Sequence, residues 1–294
     1  MHPLAAAHAA WRRHRLRLPP DPSPLPDSAA LVPLPFAKDE RIAVFRHDLY
    51  ISPWIAAGRI WEPGETALLE SLLPRCRWFV DGGANLGWFS LLAALRLPRR
   101  APILAVEPEP ANLRLLRHTF AAPAFRRITL LPVAFSDRPG IARLHLAGCN
   151  RGDHRLLDAP PDAAGMIDVR TETLDRLLAG ALRGPGLVKL DIQGSEIHAL
   201  HGARRLLADR RLDPALLVEL WPATLARRAG DWRLLFPALG PLARLRLLDP
   251  EGRLHPPTHA TTIMAGVDAA WAAAGHDPEW YCSLLACRPD SVFA

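Results

Sequence analysis

The chain has 294 residues, which is enough to bury a sizeable core as one large domain or as one domain with extensions. Its formal charge of +6 does not indicate a nucleic-acid partner, because the arginines are scattered and lack the interleaved aromatic residues of a base-stacking surface. No apolar run has the length that spanning a bilayer requires, and the four cysteines show neither metal-ligand nor disulfide spacing, so we expect a cytoplasmic protein without a metal site.

Residues 1–38 are predicted to be an N-terminal extension. Five prolines between positions 19 and 26 break any helix and predict an extended linker or an irregular surface wrap. The first arginines follow an alanine-rich stretch instead of preceding it, an order that does not suit a secretory signal. We predict a single domain over 39–294, with its core at 60–222 and C-terminal strands and a possible lid at 223–294.

From residue 42 onward, apolar runs that suit strands alternate with segments of helical period. A strand is predicted over 42–51 and a helix over 63–73, which begins with a proline and an early glutamate. The alternation that follows predicts an α/β fold, a mostly parallel sheet with helices on both faces. Its predicted strands are 78–81, 102–107, 128–134, 187–191 and 215–220, and its predicted helices are 88–97, 110–120 and 195–207.

The remaining segments are less regular. Residues 148–165 are polar and interrupted by prolines, and a loop of that length is usually functional or disordered. Residues 260–280 are ambiguous, with a lid helix as one interpretation. Further strands are predicted at 141–146, at the start of 168–178 before a helix, at 242–248 and at 281–287.

Residues 78–87 (WFVDGGANLG) are the most informative segment of the chain. The apolar run predicts the end of a buried strand, Asp81 lies at its tip, and three glycines form a turn into the helix predicted at 88–97. Such a turn lets backbone amides approach a ligand closely. The spacing is not the G-x-G-x-x-G of a dinucleotide-binding loop, and an acid at this place suits a cationic group. S-adenosylmethionine carries an ammonium and a sulfonium, so the pattern favours this cofactor.

A second acid follows at the expected distance. Residues 103–106 form another apolar run, and Glu107 ends it, 20 residues beyond Gly87. In a strand-helix-strand unit, an acid at the tip of the next strand hydrogen-bonds the ribose hydroxyls of a nucleoside cofactor. Helix dipoles also favour acids just before a helix. The alternative is therefore that Asp81 and Glu107 only stabilise the starts of the helices that follow them and bind no cofactor.

The strand predicted at 187–191 carries Lys189 and Asp191, whose side chains project to the same face because strand side chains alternate. A buried lysine needs an anionic partner, and Glu196, which shares an inward stripe of the next helix, is a candidate. A structural ion pair is an equal alternative for Lys189 and Glu196. Asp191 is the better functional candidate because it stands at the strand's carboxyl tip, where open sheets bind ligands.

Five segments carry a specific pattern: 80–87 (VDGGANLG), 106–108 (VEP), 134–137 (AFSD), 150–156 (NRGDHRL) and 188–196 (VKLDIQGSE). In their order along the chain, these segments resemble the FkbM-type family of S-adenosyl-L-methionine-dependent methyltransferases. The resemblance implies a class I methyltransferase fold, a Rossmann-like sheet usually of seven strands with the last antiparallel. It also implies methyl transfer, commonly to a hydroxyl oxygen of a sugar or secondary metabolite. Gln193 departs from the family, which generally has glutamate there.

The resemblance also implies roles for single residues toward the cofactor. It assigns the methionine end to Asp81, Gly82, Gly83 and Gly87, the ribose to Glu107 and the adenine edge to Ser136 and Asp137, with Asn85 also among the cofactor-binding residues.

Methyl transfer to oxygen requires positioning, exclusion of water and removal of a proton, and we expect no obligatory metal. Asp191 and His154 are the candidate bases, with Lys189 and Glu196 as further catalytic candidates. An imidazole titrates near neutral pH, but residues 153–155 are as well explained by hydrogen bonds that tether their loop.

Beyond these residues, the sequence leaves the acceptor and two other functions open. Glu219 and Trp221 are candidates for lining the acceptor site, and the expected acceptor is a small molecule or a glycan. Two other functions stay open: a catalytically inactive cofactor-binding protein of the same fold and, with less support, an NAD-dependent oxidoreductase.

Overall fold

The structure is a computed structural model that describes residues 13–156, 159–180 and 182–294. The first 12 residues of the predicted extension and positions 157–158 of the predicted long loop lie outside the described residues. The strands are β1 (Ala29–Leu34), β2 (Ala37–Phe45), β3 (Phe79–Gly82), β4 (Ile103–Val106), β5 (Ile128–Leu131), β6 (Ala134–Phe135), β7 (Gly140–Ala147), β8 (Arg155–Leu156), β9 (Ala163–Glu172), β10 (Gly184–Leu190), β11 (Leu212–Leu220), β12 (Arg244–Leu248) and β13 (Cys282–Cys287).

The helices lie mainly between these strands, and none in the described ranges is long and apolar enough to cross a membrane. They are α1 (Ile51–Ala56), α2 (Pro63–Leu72), α3 (Trp88–Arg96), α4 (Pro110–Thr119), α5 (Leu174–Leu178), α6 (Glu196–His201), α7 (Arg204–Ala208), α8 (Pro222–Ala229), α9 (Leu235–Ala238) and α10 (Ala260–Ala273).

A seven-stranded sheet of order β12-β13-β11-β10-β3-β4-β5 forms the centre of the molecule. The five strands from β11 to β5 pair in parallel, and β13 pairs antiparallel with both of its neighbours. The predicted class I methyltransferase sheet, with its last strand antiparallel, is confirmed. Because β4, β3, β10 and β11 are parallel neighbours, their carboxyl ends meet at one edge, where open sheets bind ligands.

Two apolar layers cover the two faces of this sheet. Side chains of β3 alternate between them: Phe79 packs with α2, α3 and α4 on one face, and Val80 packs with α6 to α10 on the other. All four residues of β3 are buried, as expected of a central parallel strand with helices on both faces. This packing fixes the position of the glycine turn that follows β3.

The hairpin of β1 and β2 corrects part of the prediction for 1–38, which was an extended linker or an irregular wrap. Strand β1 pairs antiparallel with β2, with an irregularity at Pro33, and the Ala43 amide of β2 donates to Thr119 Oγ1 of α4 at 3.1 Å. A hairpin tolerates a proline at an edge or a bulge, where its missing amide costs no ladder bond. The proline-rich composition therefore hid a strand that packs on the domain.

Two further predictions need correction. The long loop predicted over 148–165 contains β8 and the start of β9, which join β6 and β7 in a four-stranded sheet of order β6-β9-β7-β8. The helix predicted over 195–207 is divided into α6 and α7 at Gly202, where an added Cβ would lie 2.2 Å from the Ser136 carbonyl oxygen. Close packing against a loop from another part of the chain explains the break.

Candidate functional site

A cavity of about 350 Å³ opens at the carboxyl edge of the sheet. Its wall includes residues from the tips of the four central strands: Gly83 after β3, Glu107 after β4, Asp191 after β10 and Glu219 in β11. The volume lies within the range of small-molecule sites, roughly 300–1,000 Å³. Helix α10, the candidate lid, contributes none of the lining residues and packs against the sheet through Ile263 and Val267.

The turn after β3 requires glycine at Gly83. Its φ is +82°, and a Cβ there would lie 1.9 Å from the carbonyl oxygen of Asp191. The close approach brings the tips of β3 and β10 together. Gly87, at the start of α3, has a φ of +92°, and its added Cβ would lie 2.7 Å from Leu116. Asn85, between them, adopts the left-handed region with a φ of +48°.

Glu107 ties the tip of β4 to this turn. Its Oε2 accepts the Asn85 amide at 2.8 Å, and its Oε1 accepts the Glu109 amide at 2.9 Å. Burial raises the pKa of Glu107 to about 7, against the two amide hydrogen bonds that lower it. Each carboxylate oxygen keeps a second lone pair for a ligand hydroxyl. The side chain lines the cavity, as the ribose assignment requires.

Five of the predicted cofactor-binding residues do not line the cavity: Asp81, Gly82, Gly87, Ser136 and Asp137. Asp81 is buried and accepts a hydrogen bond from Ser90 Oγ at 2.6 Å, so it braces α3. Ser136 Oγ donates to the Asp137 carboxylate at 3.1 Å on an exposed stretch. The wall next to them is formed by the preceding residues, 133–135.

Four polar atoms on the cavity wall are buried and have no hydrogen-bond partner within the described ranges: Asn85 Oδ1, Asn112 Oδ1, His154 Nε2 and Ser195 Oγ. Buried polar groups are nearly always satisfied, so unpartnered ones that face a cavity indicate a polar ligand. Together they present two amide oxygens, a ring nitrogen and a hydroxyl. This donor and acceptor set suits a nucleoside with an amino-acid side chain.

His154 is placed as a hydrogen-bond donor. Its Nδ1 accepts the Ala147 amide at 3.0 Å, so the proton of the neutral ring is on Nε2. Burial lowers the pKa of His154 to about 4. The residues on either side, Asp153 and Arg155, form a buried ion pair with a 2.7 Å hydrogen bond between Arg155 Nη2 and Asp153 Oδ2. The geometry therefore favours the tethered-loop interpretation, in which His154 presents an N–H donor to the cavity. It does not favour His154 as a general base.

Lys189 lies at the centre of a carboxylate group at the tips of β10 and β11. Its Nζ is 2.9 Å from Asp191 Oδ2 and 3.8 Å from Glu62 Oε2. Burial alone would lower the pKa of Lys189, but the carboxylates of Asp191, Glu62 and Asp81 together raise it above its ordinary value. Lys189 is therefore charged and paired.

Glu196 is not the partner of Lys189, which corrects the prediction. It is buried, and its Oε1 accepts the Ile192 amide at 2.8 Å, so the side chain closes the turn from β10 into α6. A carboxylate at the first residue of a helix also favours its N-terminus. Glu196 therefore braces this turn through a backbone amide and not through the predicted ion pair with Lys189.

Gln193 links two acids of the cavity wall. Its Nε2 donates to Asp191 Oδ1 at 2.8 Å and approaches Glu219 Oε2 at 3.4 Å. The residue has a φ of +53°, an uncommon conformation for a side chain other than glycine. The amide of Gln193 can donate to these two acids, whereas the glutamate that the family generally has at this position would repel them. The difference from the family thus has a physical consequence.

The sequence did not reveal Glu62, Asn112, Ser195 or Tyr281, all of which line the cavity. Ser195 stands in the 188–196 motif and follows Asp191 closely, so its position was a usable signal. Glu62 and Tyr281 come from segments far from the motifs along the chain, and no local pattern brings them to the site.

The protein without ligand is expected to lose thermal stability as the pH rises from 6.5 to 8.5. Burial raises the pKa of Glu62 to about 8 and the pKa values of Glu107 and Glu196 to about 7. An acid with a raised folded pKa contributes stability that is complete below its unfolded pKa and is lost as the pH rises through the folded value. His154 acts oppositely, but below this window, because its folded pKa is lowered.

Differential scanning calorimetry at half-unit pH steps measures this dependence, and Glu196→Gln should flatten the slope. A melting temperature that rises across this window would contradict the assignment of buried, proton-holding carboxyls.

Comparison with solved structures found similar folds at low identity. A methyltransferase FkbM from Methylobacillus flagellatus KT is 20% identical, with a TM-score of 0.42 over 72% of this chain and 44% of that chain. An O-methyltransferase from Bacillus cereus in complex with SAH is 11% identical, with a TM-score of 0.43 over 78% and 81%. The T. thermophilus 16S rRNA N2 G1207 methyltransferase RsmC is 14% identical, with a TM-score of 0.41 over 90% and 52%. This chain thus spans less than half the length of the Methylobacillus protein.

A search of curated proteins returned no match. The family model described as "Methyltransferase FkbM domain" matches residues 81–240, more than half of the chain. That match includes the glycine turn, Glu107, the 150–156 loop and the tips of β10 and β11, all described above. The chain therefore belongs to the FkbM family of methyltransferases, whose methyl donor is S-adenosylmethionine.

Proposed function

We propose that the protein methylates a hydroxyl oxygen of a sugar, a glycan or a secondary metabolite. The observation that carries the proposal is the hydrogen bond from the Asn85 amide to Glu107, which places a carboxyl acceptor beside the glycine turn. The acceptor class follows from the family resemblance, and the cytoplasm is the proposed compartment. The division into an extension at 1–38 and a domain at 39–294 is proposed on the same sequence grounds.

The proposed cofactor site extends along the sheet edge from β4 to β10. Glu107 would bind the ribose hydroxyls, and the unpartnered Asn85 and Asn112 oxygens would accept from amino or hydroxyl groups of the cofactor. Gly83 supplies the close backbone approach. Roles for Asp81, Gly82 and Gly87 would be indirect, through the shape of the turn, and contact of Ser136 and Asp137 with the adenine edge stays a prediction.

The protein's chemical contribution is positioning and proton removal. Bound S-adenosylmethionine supplies an electrophilic methyl group. The cavity wall then orders the acceptor and excludes water, and orientation of this kind is worth roughly 7–11 kcal/mol. A general base adds typically about 10²- to 10⁴-fold in rate. Asp191 is the proposed base, because its carboxylate faces the cavity at the tip of β10. Lys189 and Gln193 each donate to one of its oxygens, and each oxygen keeps a further lone pair that can accept a proton.

Calorimetric titration with S-adenosylhomocysteine tests the cofactor part of the proposal, with NAD as the competing ligand. We expect saturable binding of S-adenosylhomocysteine at micromolar concentration and none of NAD. No binding by protein shown to be folded would remove the proposed function, and binding of NAD instead would favour the oxidoreductase alternative.

Nucleic acid is the competing acceptor class. A steep fall of RNA or DNA affinity with salt would support it, since each phosphate contact releases counterions. We expect no such binding, because the arginines of this chain are scattered along the sequence.

A further inference from the structure

Carboxylates outnumber cations where the cavity meets the tips of β10 and β11. Glu62, Asp191 and Glu219 line this end, and Lys189 is the ammonium among them. Lys189 lies closest to Asp191, at 2.9 Å, and then to Glu62, at 3.8 Å. Arg151, another cation of the wall, stacks over the Phe45 ring at 4.3 Å. The carboxyl groups at this end therefore outnumber the cations that the described side chains place there.

Glu219 has the weakest compensation of the three acids. Its contact with a donor in the described ranges is the 3.4 Å approach of Gln193 Nε2, a neutral amide. Burial raises the pKa of Glu219 well above its ordinary value. The nearby carboxylates of Asp191, Glu196 and Glu62 raise it further, and the charge of Lys189 opposes them only in part. Burial favours the protonated form of such an acid, and a cationic ligand beside it would favour the carboxylate.

An independent feature of the same wall points to a ligand. Ser195 is 1% exposed, lines the cavity, and its Oγ has no partner in the described part of the chain. It lies in the turn that begins at Asp191 and includes the left-handed Gln193. Such strained turns cluster at ligand sites. The acids and the unpartnered hydroxyl thus face one space.

The order of the strands indicates which cationic group of a ligand would lie near these acids. Glu107 follows β4, the glycine turn follows β3, Asp191 follows β10 and Glu219 lies near the tip of β11, and these strands are consecutive neighbours. A ligand with its ribose at Glu107 extends along this edge, so the sulfur beyond the ribose approaches β10 and β11.

We propose that Glu219, together with Glu62, stabilises the sulfonium charge of the cofactor, so that the protein binds S-adenosylmethionine more tightly than S-adenosylhomocysteine. The inference rests on the proposed function. In methyl transfer the oxygen–carbon bond forms, the carbon–sulfur bond breaks with its electron pair left on sulfur, and the hydroxyl proton leaves to a base. The sulfur is then neutral, so the attraction to Glu219 ends and the product is released more readily.

Calorimetry with three ligands tests the proposal without an acceptor. S-adenosylmethionine and sinefungin, which carries an amine in place of the methylated sulfur, are both cationic at this position, and S-adenosylhomocysteine is neutral. We expect both cationic ligands to bind the wild type at least about tenfold more tightly, a difference of about 1.4 kcal/mol. Glu219→Gln should remove most of this preference and leave the affinity for S-adenosylhomocysteine within about twofold, because the amide keeps the shape and loses the charge.

Glu279→Gln is the matched control. Glu279 also faces the cavity, but the charges that act on it belong to Asp153, Arg155, Asp277 and Arg227 and not to the acids around Lys189, so the ligand preference should persist. Glu62→Gln gives a second variant if Glu219→Gln does not fold, and it should reduce the preference in the same direction.

Equal or tighter binding of S-adenosylhomocysteine by the wild type would overturn the inference and leave the proposed function standing. An unchanged preference in folded Glu219→Gln and Glu62→Gln would do the same. Failure of all three ligands to bind would instead remove the proposed function itself.

Discussion

Gly83→Ala is expected to abolish binding of S-adenosylhomocysteine and to lower the melting temperature. The added Cβ would lie 1.9 Å from the carbonyl oxygen of Asp191, and backbone at that distance must move. The amide of Asp191 also donates to the Gly82 carbonyl at 3.1 Å, so displacement disturbs the pairing of β3 with β10. Overpacking costs roughly 1–3 kcal/mol, in addition to about 1–2 kcal/mol for the left-handed conformation.

Gly230→Ala separates these two costs. Gly230 has a φ of +84°, nearly that of Gly83 at +82°, and no atom lies within 4 Å of its added Cβ. This variant should lose only the stability that alanine costs in the left-handed backbone conformation. It should bind S-adenosylhomocysteine as the wild type does. Normal binding by Gly83→Ala would show that the turn yields without consequence, against the close approach described above.

Glu107→Ala is expected to weaken S-adenosylhomocysteine binding by about 10- to 150-fold. The range corresponds to about 1.5–3 kcal/mol for one hydrogen bond to a charged group. The change also leaves the Asn85 and Glu109 amides without their acceptor, which loosens the turn that shapes the cavity. Calorimetric titration, with circular dichroism to check folding, measures the effect.

Glu109→Gln serves as the control for this variant. Glu109 is buried two residues away and accepts the Asn112 amide at 2.6 Å as the cap of α4, but it does not line the cavity. Glutamine retains an oxygen for the cap, so affinity should change little. Equal affinities for wild type and Glu107→Ala would exclude Glu107 from the cofactor site.

The parts of the fold that follow local rules were predictable from the sequence. Alternating apolar runs gave β3, β4, β10 and β11, and an acid or glycine at each tip marked the ligand edge. Strand β1 was missed because Pro33 and the proline-rich stretch before it argue against a strand, although a strand at an edge accepts a proline. The division of α6 from α7 depends on a loop that packs against Gly202, which no helical period reveals.

In the site as well, some residues could be predicted from local strand geometry, and others are placed by contacts with residues distant in sequence. Glu107 and Asp191 line the cavity because each directly follows the carboxyl end of a parallel strand, and these ends meet at the sheet edge where the cavity opens. Asp81 stands at such a tip as well, but Ser90 of α3 holds its carboxylate below the cavity wall. The partners of Lys189 include Glu62, which lies far away in sequence and has no motif of its own. Contacts of that kind depend on packing of the whole chain.

The position of β13 has a consequence for how the molecule is made. This strand comes last along the chain among the described strands, and it lies between β11 and β12, which are synthesised before it. Because β12 joins the sheet through β13, neither strand can be added until β13 pairs with β11, a non-local pairing of the kind that slows folding. Ser283 of β13 pairs with Glu219, so the far end of the cavity takes shape at that late step. A nascent chain can thus form the β3–β4 end of the cavity while its β11 end is still incomplete.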